Sequence, residues 1–474
     1  MKIISRREER RELEYCEKSK KSELICVYGR RRVGKTFLIE QTFKDFAFRA
    51  VGLEKGSTKQ KLAAFEQRLK EYGDDSKSTP KNWFEAFSRL DKILSKDTVR
   101  RSTNGKRIVF FDEFPWFASK RSDFLLAFEE FWNRRGTQDG DLMFILCGSA
   151  TSWIIKEIIK NTGNMYKRVT KRIYIKPFTL SETELFFKDR EFDWQREQIA
   201  ECQMIFGGLP FFFDIMNPSQ SLAQNMDRLL FSKDALYKGE TQKLLEATLS
   251  SSPIYGKILR TIAFSKYGIK KSKVKEMLGI PDGTYFRAIE DLVDCGYIIE
   301  YKKEYEDYNP LYIQLADPFL LFHYYYIEKQ NKNSYDDVVT DVGYYSNWRG
   351  QAFEMLCLQN ESCIKGALGI GSVETDIYPW YNSEDEKDER AQIDIVIERA
   401  DKITNLCELK YSNTPFEIDA AYEQDLIRKR EIYREKTGTK QALKIIMISA
   451  KGLKGTAHTS YVSEVITLDD LFDQ

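Results

Sequence analysis

The stretch "GRRRVGKT" sets Gly29, Arg30, Arg31, Arg32, Val33, Gly34, Lys35 and Thr36 in the pattern G-x-x-x-x-G-K-[ST]. Glycines at that spacing let successive backbone N–H groups turn inward and cradle phosphate oxygens. Lys35 then reaches the β- and γ-phosphates of a nucleotide, and the Thr36 hydroxyl binds Mg2+. The partner motif is "RIVFFDEF", in which four apolar residues deliver Asp112 and Glu113 to the end of a strand. An Asp there holds the metal through water, and a Glu beside it orients and deprotonates the attacking water. A further strand, "LMFILCGSA", ends at Gly148 and Ser149. A hydroxyl there senses the γ-phosphate, although strand-to-helix turns favour Ser and Gly for backbone reasons too.

A second set of residues sits in "QIDIVIERADKITNLCELKYSNTP", residues 392–415. Two apolar runs flank a charged turn, as in a hairpin, yet Asp394 stands among apolar neighbours and Glu408 and Lys410 close the second run. Period-two geometry puts Glu408 and Lys410 on one strand face and turns Leu409 to the other. An upstream helical stretch, "WRGQAFEMLCLQNE", places Glu354 among apolar residues as well. Burying charges is costly unless they are paired or coordinate a metal. The four are either solvated edge charges or a site.

The elements that must position these residues follow from the hydrophobic pattern. Strands at 24–28, 107–114, 142–150 and 172–178 alternate with helices at Lys35–Lys44, Thr58–Glu71 and Asp123–Asn133, which predicts parallel βαβ units. Residues 181–245 are mostly helical with a break at "GGLPFFF". Residues 253–308 read as short helices followed by a β-wing, and an aromatic linker, "LADPFLLFHYYYIEKQNKNS", comes next. From about 346 the order is helix, strand, acidic turn, hairpin, helix, strand. The charge run Glu384–Arg390 reads as a solvated loop. The chain has 474 residues, 42% apolar and 31% charged, which suits about three packed domains. A net charge of +1 leaves binding of an acidic polymer to local patches. The eight cysteines are scattered without a CxxC pair, as in a reduced cytosolic protein. The two histidines, His323 and His458, are too far apart in sequence to suggest a His-based metal site or triad. No signal-peptide core and no bilayer-length apolar run occurs, so a cytoplasmic protein without a membrane partner is expected.

Residues 1 to about 240 resemble the archaeal-type P-loop ATPases, close to the AAA+ and STAND NTPases. The resemblance implies nucleotide contact from an N-terminal element, here around Arg6, with Ser5 where the family has Gly. It implies a Gly-x-Pro element at Gly208 and Pro210, and a nucleotide-sensing arginine at Arg168. "FSKYGIKKSKVKEMLGIPDGTYFRAIEDLVDCGYIIEYKK" resembles a winged helix-turn-helix. Its second helix has Arg287 as its one clearly basic residue, while Lys266, Lys270, Lys271, Lys273 and Lys275 precede or lie on the first. Phosphate contact by these residues and a role in docking the ATPase or a partner both stay open. Glu354, Asp394, Glu408 and Lys410 match in order and spacing the PD-(D/E)xK nuclease fold. On that resemblance the carboxylates, Asp394 and Glu408 foremost, bind Mg2+ or Mn2+, and the lysine orients water or offsets phosphate charge. Some relatives of that fold carry Gln-x-x-x-Tyr in the next helix; here Gln424 is followed by Arg428.

The expected architecture is therefore α/β multidomain. It comprises a P-loop core at 1–180, a helical lid at 181–248, a winged helix-turn-helix at 249–312, a linker at 313–345 and a restriction-endonuclease-like domain at 346–474. The implied function is ATP binding and hydrolysis gating a Mg2+-dependent nuclease-like domain on DNA, with ATP-dependent homo-oligomerisation. The alternative is a STAND-like switch whose nuclease fold binds without cutting.

Overall fold

The computed structural model describes residues 3–119, 122–136, 139–160, 168–237, 239, 245, 249, 252–302, 311–329, 332–382 and 390–473. The acidic stretch at 384–389 and the tip of the expected wing at 303–310 lie outside them. The chain divides into two compact units, Met1–Pro177 with Glu246–Ser251, and Phe178–Leu245 with Ser252–Gln474.

The first unit is built on five strands: β1 (Glu23–Gly29), β2 (Phe48–Val51), β3 (Arg107–Asp112), β4 (Leu142–Gly148) and β5 (Lys171–Ile175). They form one parallel sheet in the order β2-β3-β4-β1-β5. Every residue of β3 and β4 is buried, as expected where helices cover both faces of a parallel sheet. Phe111 of β3 is the hub of the core. The rings of Phe48, Phe65, Phe87, Phe117 and Phe144 lie with centroids 5.1 to 6.1 Å from it. β1 carries the Gly-rich loop and pairs with β4 and β5, while its own crossover leads to β2 on the far side of β3. The connections thus reverse direction between β1 and β4, and ligands of open α/β sheets bind at the carboxyl ends of the strands at such a point.

The elements additional to the pattern reading include β2 and the helix Trp83–Leu94. β2 is only four residues long, too short to show a period. The helix Trp83–Leu94 buries Trp83, Ala86, Phe87, Leu90, Ile93 and Leu94, and Asn82 caps it by accepting from the Glu85 N–H. β3 also stops at Asp112 rather than at residue 114, because Glu113 turns to φ 46 and opens a short 3-10 turn, Phe114–Trp116.

Among its described residues the second unit contains two sheets. The larger is mixed, in the order β13-β12-β11-β10-β9. Its strands are β9 (Thr375–Asn382), β10 (Ala391–Arg399), β11 (Ile403–Lys410), β12 (Ala442–Ser449) and β13 (Val462–Ile466), the last being absent from the pattern reading. β9, β10 and β11 are antiparallel neighbours, and β11, β12 and β13 run parallel. The helix Ala420–Thr437 makes the crossover from β11 to β12 and buries Leu426, Ile432 and Tyr433. The smaller sheet is antiparallel, in the order β6-β8-β7, with β6 (Ile269–Lys270), β7 (Ile298–Lys302) and β8 (Leu311–Leu315). The helices Ile254–Ile262, Lys271–Leu278 and Asp282–Asp294 accompany it. No helix among the described residues is long and apolar enough to cross a membrane.

Candidate functional site

The Gly-rich loop of the first unit is held by its own backbone chemistry. Gly29 has φ +146, and a Cβ there would stand 2.4 Å from the Ile175 carbonyl oxygen, so only glycine fits. Gly34 enters the helix Lys35–Thr42 from the left-handed region, at φ 92. Lys35 is buried, and its ammonium donates to the carbonyls of Gly29 (2.9 Å) and Arg30 (2.8 Å), spanning the cradle that phosphates would fill. Burial lowers its pKa, against the nearby acids. The Thr36 hydroxyl donates to both carboxylate oxygens of Asp112, at 3.1 and 3.0 Å. Burial, and then the charge of Glu113, raises the Asp112 pKa. Thr36 and Asp112 would hold a cation that relieves this cost, and their oxygen donors suit Mg2+.

Glu113 points to the end of β4. Its carboxylate accepts from the Ser149 hydroxyl at 3.1 and 3.0 Å and from the Ser149 N–H at 3.2 Å. The expected water-activating acid is thus held by the expected γ-phosphate sensor. Arg6 is buried and extends its guanidinium to the Val33 carbonyl inside the loop, at 3.4 Å. Arg168 is exposed in the turn before β5. Gly208 and Pro210 belong to the second unit, where Gly208 takes φ +70 against the Phe178 carbonyl and Pro210 opens the short helix Pro210–Phe213.

In the second unit Glu354, Asp394 and Glu408 are all more than nine-tenths buried. The helix Val342–Gln359 supplies Glu354. Asp394 is aimed by an irregularity in β10: the register with β9 shifts between Ile393↔Trp380 and Val396↔Tyr378, so two residues face Pro379. Proline has no N–H for the ladder, and such bulges re-aim side chains. The Asp394 carboxylate accepts from Gln392 Nε2 (2.7 Å) and from the Leu409 N–H (2.9 Å).

Lys266 lies 2.6 Å from Glu354 and 3.7 Å from Asp394, bridging the two. Glu408 instead meets Lys429 at 2.9 Å and the Tyr422 hydroxyl at 3.4 Å. Lys410 lies over the rings of Tyr422 (5.0 Å) and Phe416 (5.6 Å). Burial, and then the charge of Asp394, pushes Glu354 well above the carboxylate range and Glu408 up to about 7. Burial acts to lower Lys266, but Glu354 and Asp394 outweigh it and raise its pKa. Among the described residues no three His, Cys, Asp or Glu side chains gather as a metal cage. Lys266 thus stands at Glu354 and Asp394, and Lys429 at Glu408. Gln424 is exposed, and Arg428 binds the Arg390 carbonyl and Asp425, so the helix reaches Glu408 through Tyr422 and Lys429 instead.

The basic residues expected to meet DNA divide as well. Lys273 and Arg287 are exposed, whereas Lys271 pairs with Glu300 and Lys270 lies 5.8 Å from the Tyr312 ring.

Residues 4–212 match a family described as an ATPase domain predominantly from Archaea, so the chain carries an ATP-binding ATPase domain of that type. An uncharacterized protein of Methanocaldococcus jannaschii is 22% identical over 360 residues, 74% of this chain and 75% of that one. Among solved structures, the Walker-type ATPase of Pyrococcus abyssi is similar at a TM-score of 0.48 and 19% identity, over 68% of this chain and 96% of that chain. The ORC2 protein of Aeropyrum pernix, in ADPNP–ADP complexes, gives 0.42 and 14%, over 69% of this chain and 94% of that chain.

Proposed function

We propose that ATP binding and hydrolysis in the first unit gate a Mg2+-dependent phosphodiester cleavage of DNA at the carboxylate–lysine cluster of the second. The observation that carries this reading is the burial of Glu354 and Asp394 against each other. Two adjacent buried carboxylates stabilise no core by themselves, whereas they suit a hard divalent cation. When bound there, Mg2+ supplies Lewis-acid stabilisation and an activated water. Gln392 and the Leu409 N–H fix the Asp394 carboxylate, the kind of outer support that orients a metal ligand. Lys410, one position beyond Leu409 on the face of Glu408, offsets charge on a phosphate.

The finer domain reading belongs to the same proposal: a helical lid at 181–248, a winged helix-turn-helix at 249–312, a linker at 313–345 and a PD-(D/E)xK-like domain at 346–474. The three helices around the β6-β8-β7 sheet support the second of these, and exposed Lys273 and Arg287 offer contacts to DNA phosphates. Arg168, being exposed, is free to sense nucleotide across an ATP-dependent assembly of several copies.

The test is plasmid nicking with Mg2+ and ATP. Wild type is expected to nick, and Asp394→Asn to lose nicking while its ATPase rate stays within about twofold. Wild type that cuts neither DNA nor RNA under any nucleotide condition contradicts the reading.

A second reading is favoured by one observation: Glu354 with Asp394, and Glu408, already have lysine partners. In it the chain is a nucleotide-controlled switch whose nuclease-like fold binds without cutting. ATP-dependent light scattering in the absence of any nicking is its signature.

A further inference from the structure

Lys266 does not belong to the hairpin that carries Asp394 and Glu408. It lies in the turn between the helix Ile254–Ile262 and β6, in the module with the small sheet. That turn is clamped at several points. The Lys266 carbonyl accepts from Gln314 Nε2 at 2.7 Å, and the Ala263 carbonyl accepts from Gln351 Nε2 at 3.0 Å. Gln351 is on the same helix as Glu354, three residues before it, so one helix holds both the backbone of the turn and its charge. The Tyr267 ring stacks on Tyr381 of β9, 5.6 Å away at 21°. Gly268 closes the turn at φ +70, where a Cβ would stand 2.3 Å from the Tyr301 hydroxyl and 3.0 Å from the Ile313 carbonyl oxygen.

The Glu354 and Asp394 side chains are 6% and 5% exposed, while that of Lys266 is 35% exposed. The lysine therefore covers the solvent side of the acids. A Mg2+ ion bound to them would stand roughly 2.1 Å from their oxygens, between the same two carboxylates. An ammonium already 2.6 Å from one of them and a divalent cation would compete for that space and repel each other.

We propose that Lys266 is a built-in counter-cation that closes the Glu354–Asp394 pair to divalent metal, and that the site loads metal when the 263–268 turn withdraws. The proposal rests on reading that pair as a cation site, and it names the regulation of the site. Placing the blocking charge on the small-sheet module makes metal loading respond to whatever displaces that module. A bound nucleic acid is the displacing ligand that fits its exposed Lys273 and Arg287.

The test is titration of free Mn2+ followed by its EPR signal, with Asp112→Asn in every variant to silence the nucleotide-site metal. Lys266→Met is expected to bind Mn2+ at least tenfold more tightly than the Asp112→Asn parent, and Glu354→Gln added to it is expected to abolish the gain. Tyr267→Ala keeps every charge and removes the stack that pins the turn. It is expected to give a smaller gain in the same direction, and it covers the case in which Lys266→Met fails to fold. Equal Mn2+ affinity in the parent, Lys266→Met and Tyr267→Ala, lost in each on Glu354→Gln, overturns the closure and leaves the cation site standing. Mn2+ binding that never depends on Glu354 overturns both.

Discussion

At the residue scale, the nucleotide site and the carboxylate cluster solve the same problem differently. Both bury acids that are costly to leave unpaired. In the first unit the Thr36 hydroxyl and the Lys35 ammonium stand around Asp112 and the loop carbonyls, while Ser149 restrains Glu113. Replacing Glu113 by Gln keeps the hydrogen-bonding shape and removes the base. ATP affinity is expected to stay near wild type while turnover falls by about 10²- to 10⁴-fold, measured by phosphate release beside a nucleotide titration. Lys35, Thr36, Asp112 and Glu113 were legible in the sequence because a loop and a strand end carry their chemistry in local spacing. Lys266 and Lys429 were not legible as partners of the acids. A sequence displays charges, but which cation neutralises which acid is decided by tertiary packing between distant segments.

At the element scale, strands that are long and buried were readable, and short or irregular ones were not. β3 and β4 announce themselves as continuous apolar runs, whereas β2 has four residues and no period to detect. The helix Trp83–Leu94 has clear i, i+3, i+4 apolar spacing and a capping Asn82, so its signal was present in the sequence. The irregularity that aims Asp394 was harder to read, since Pro379 marks a break in the ladder without saying which neighbouring strand bulges.

The aromatic segment from Pro318 to Ile327 gives a pH prediction. Burial pushes the His323 imidazole down to about 4 from an ordinary value near 6.5. The folded chain thus favours the neutral ring, contributing stability that is present above about pH 6.5 and lost as pH falls through about 4. Wild-type Tm is expected to fall more steeply than that of His323→Phe between those pH values. Parallel melting curves for the two proteins would show that His323 contributes nothing to acid sensitivity.

At the scale of the whole molecule, residues 4–212 carry an ATPase domain, and the second unit carries a buried acid pair under a lysine from its own small-sheet module. All eight cysteines are buried and free, so the cores rest on packing rather than on cross-links. In the proposed coupling, a change of nucleotide state alters cleavage at the carboxylates. The P-loop made the first half of that account readable from sequence. The second half depended on a resemblance in spacing, and packing added Lys266 beside Asp394.

The most direct measurement is the rate of Asp394-dependent plasmid nicking in Mg2+, with and without ATP, for wild type and Lys35→Ala. Wild type is expected to nick at least tenfold faster with ATP, and Lys35→Ala to stay at the ATP-free rate in both conditions. Nicking at one rate regardless of ATP and of Lys35, or no Asp394-dependent nicking at all, would contradict the account.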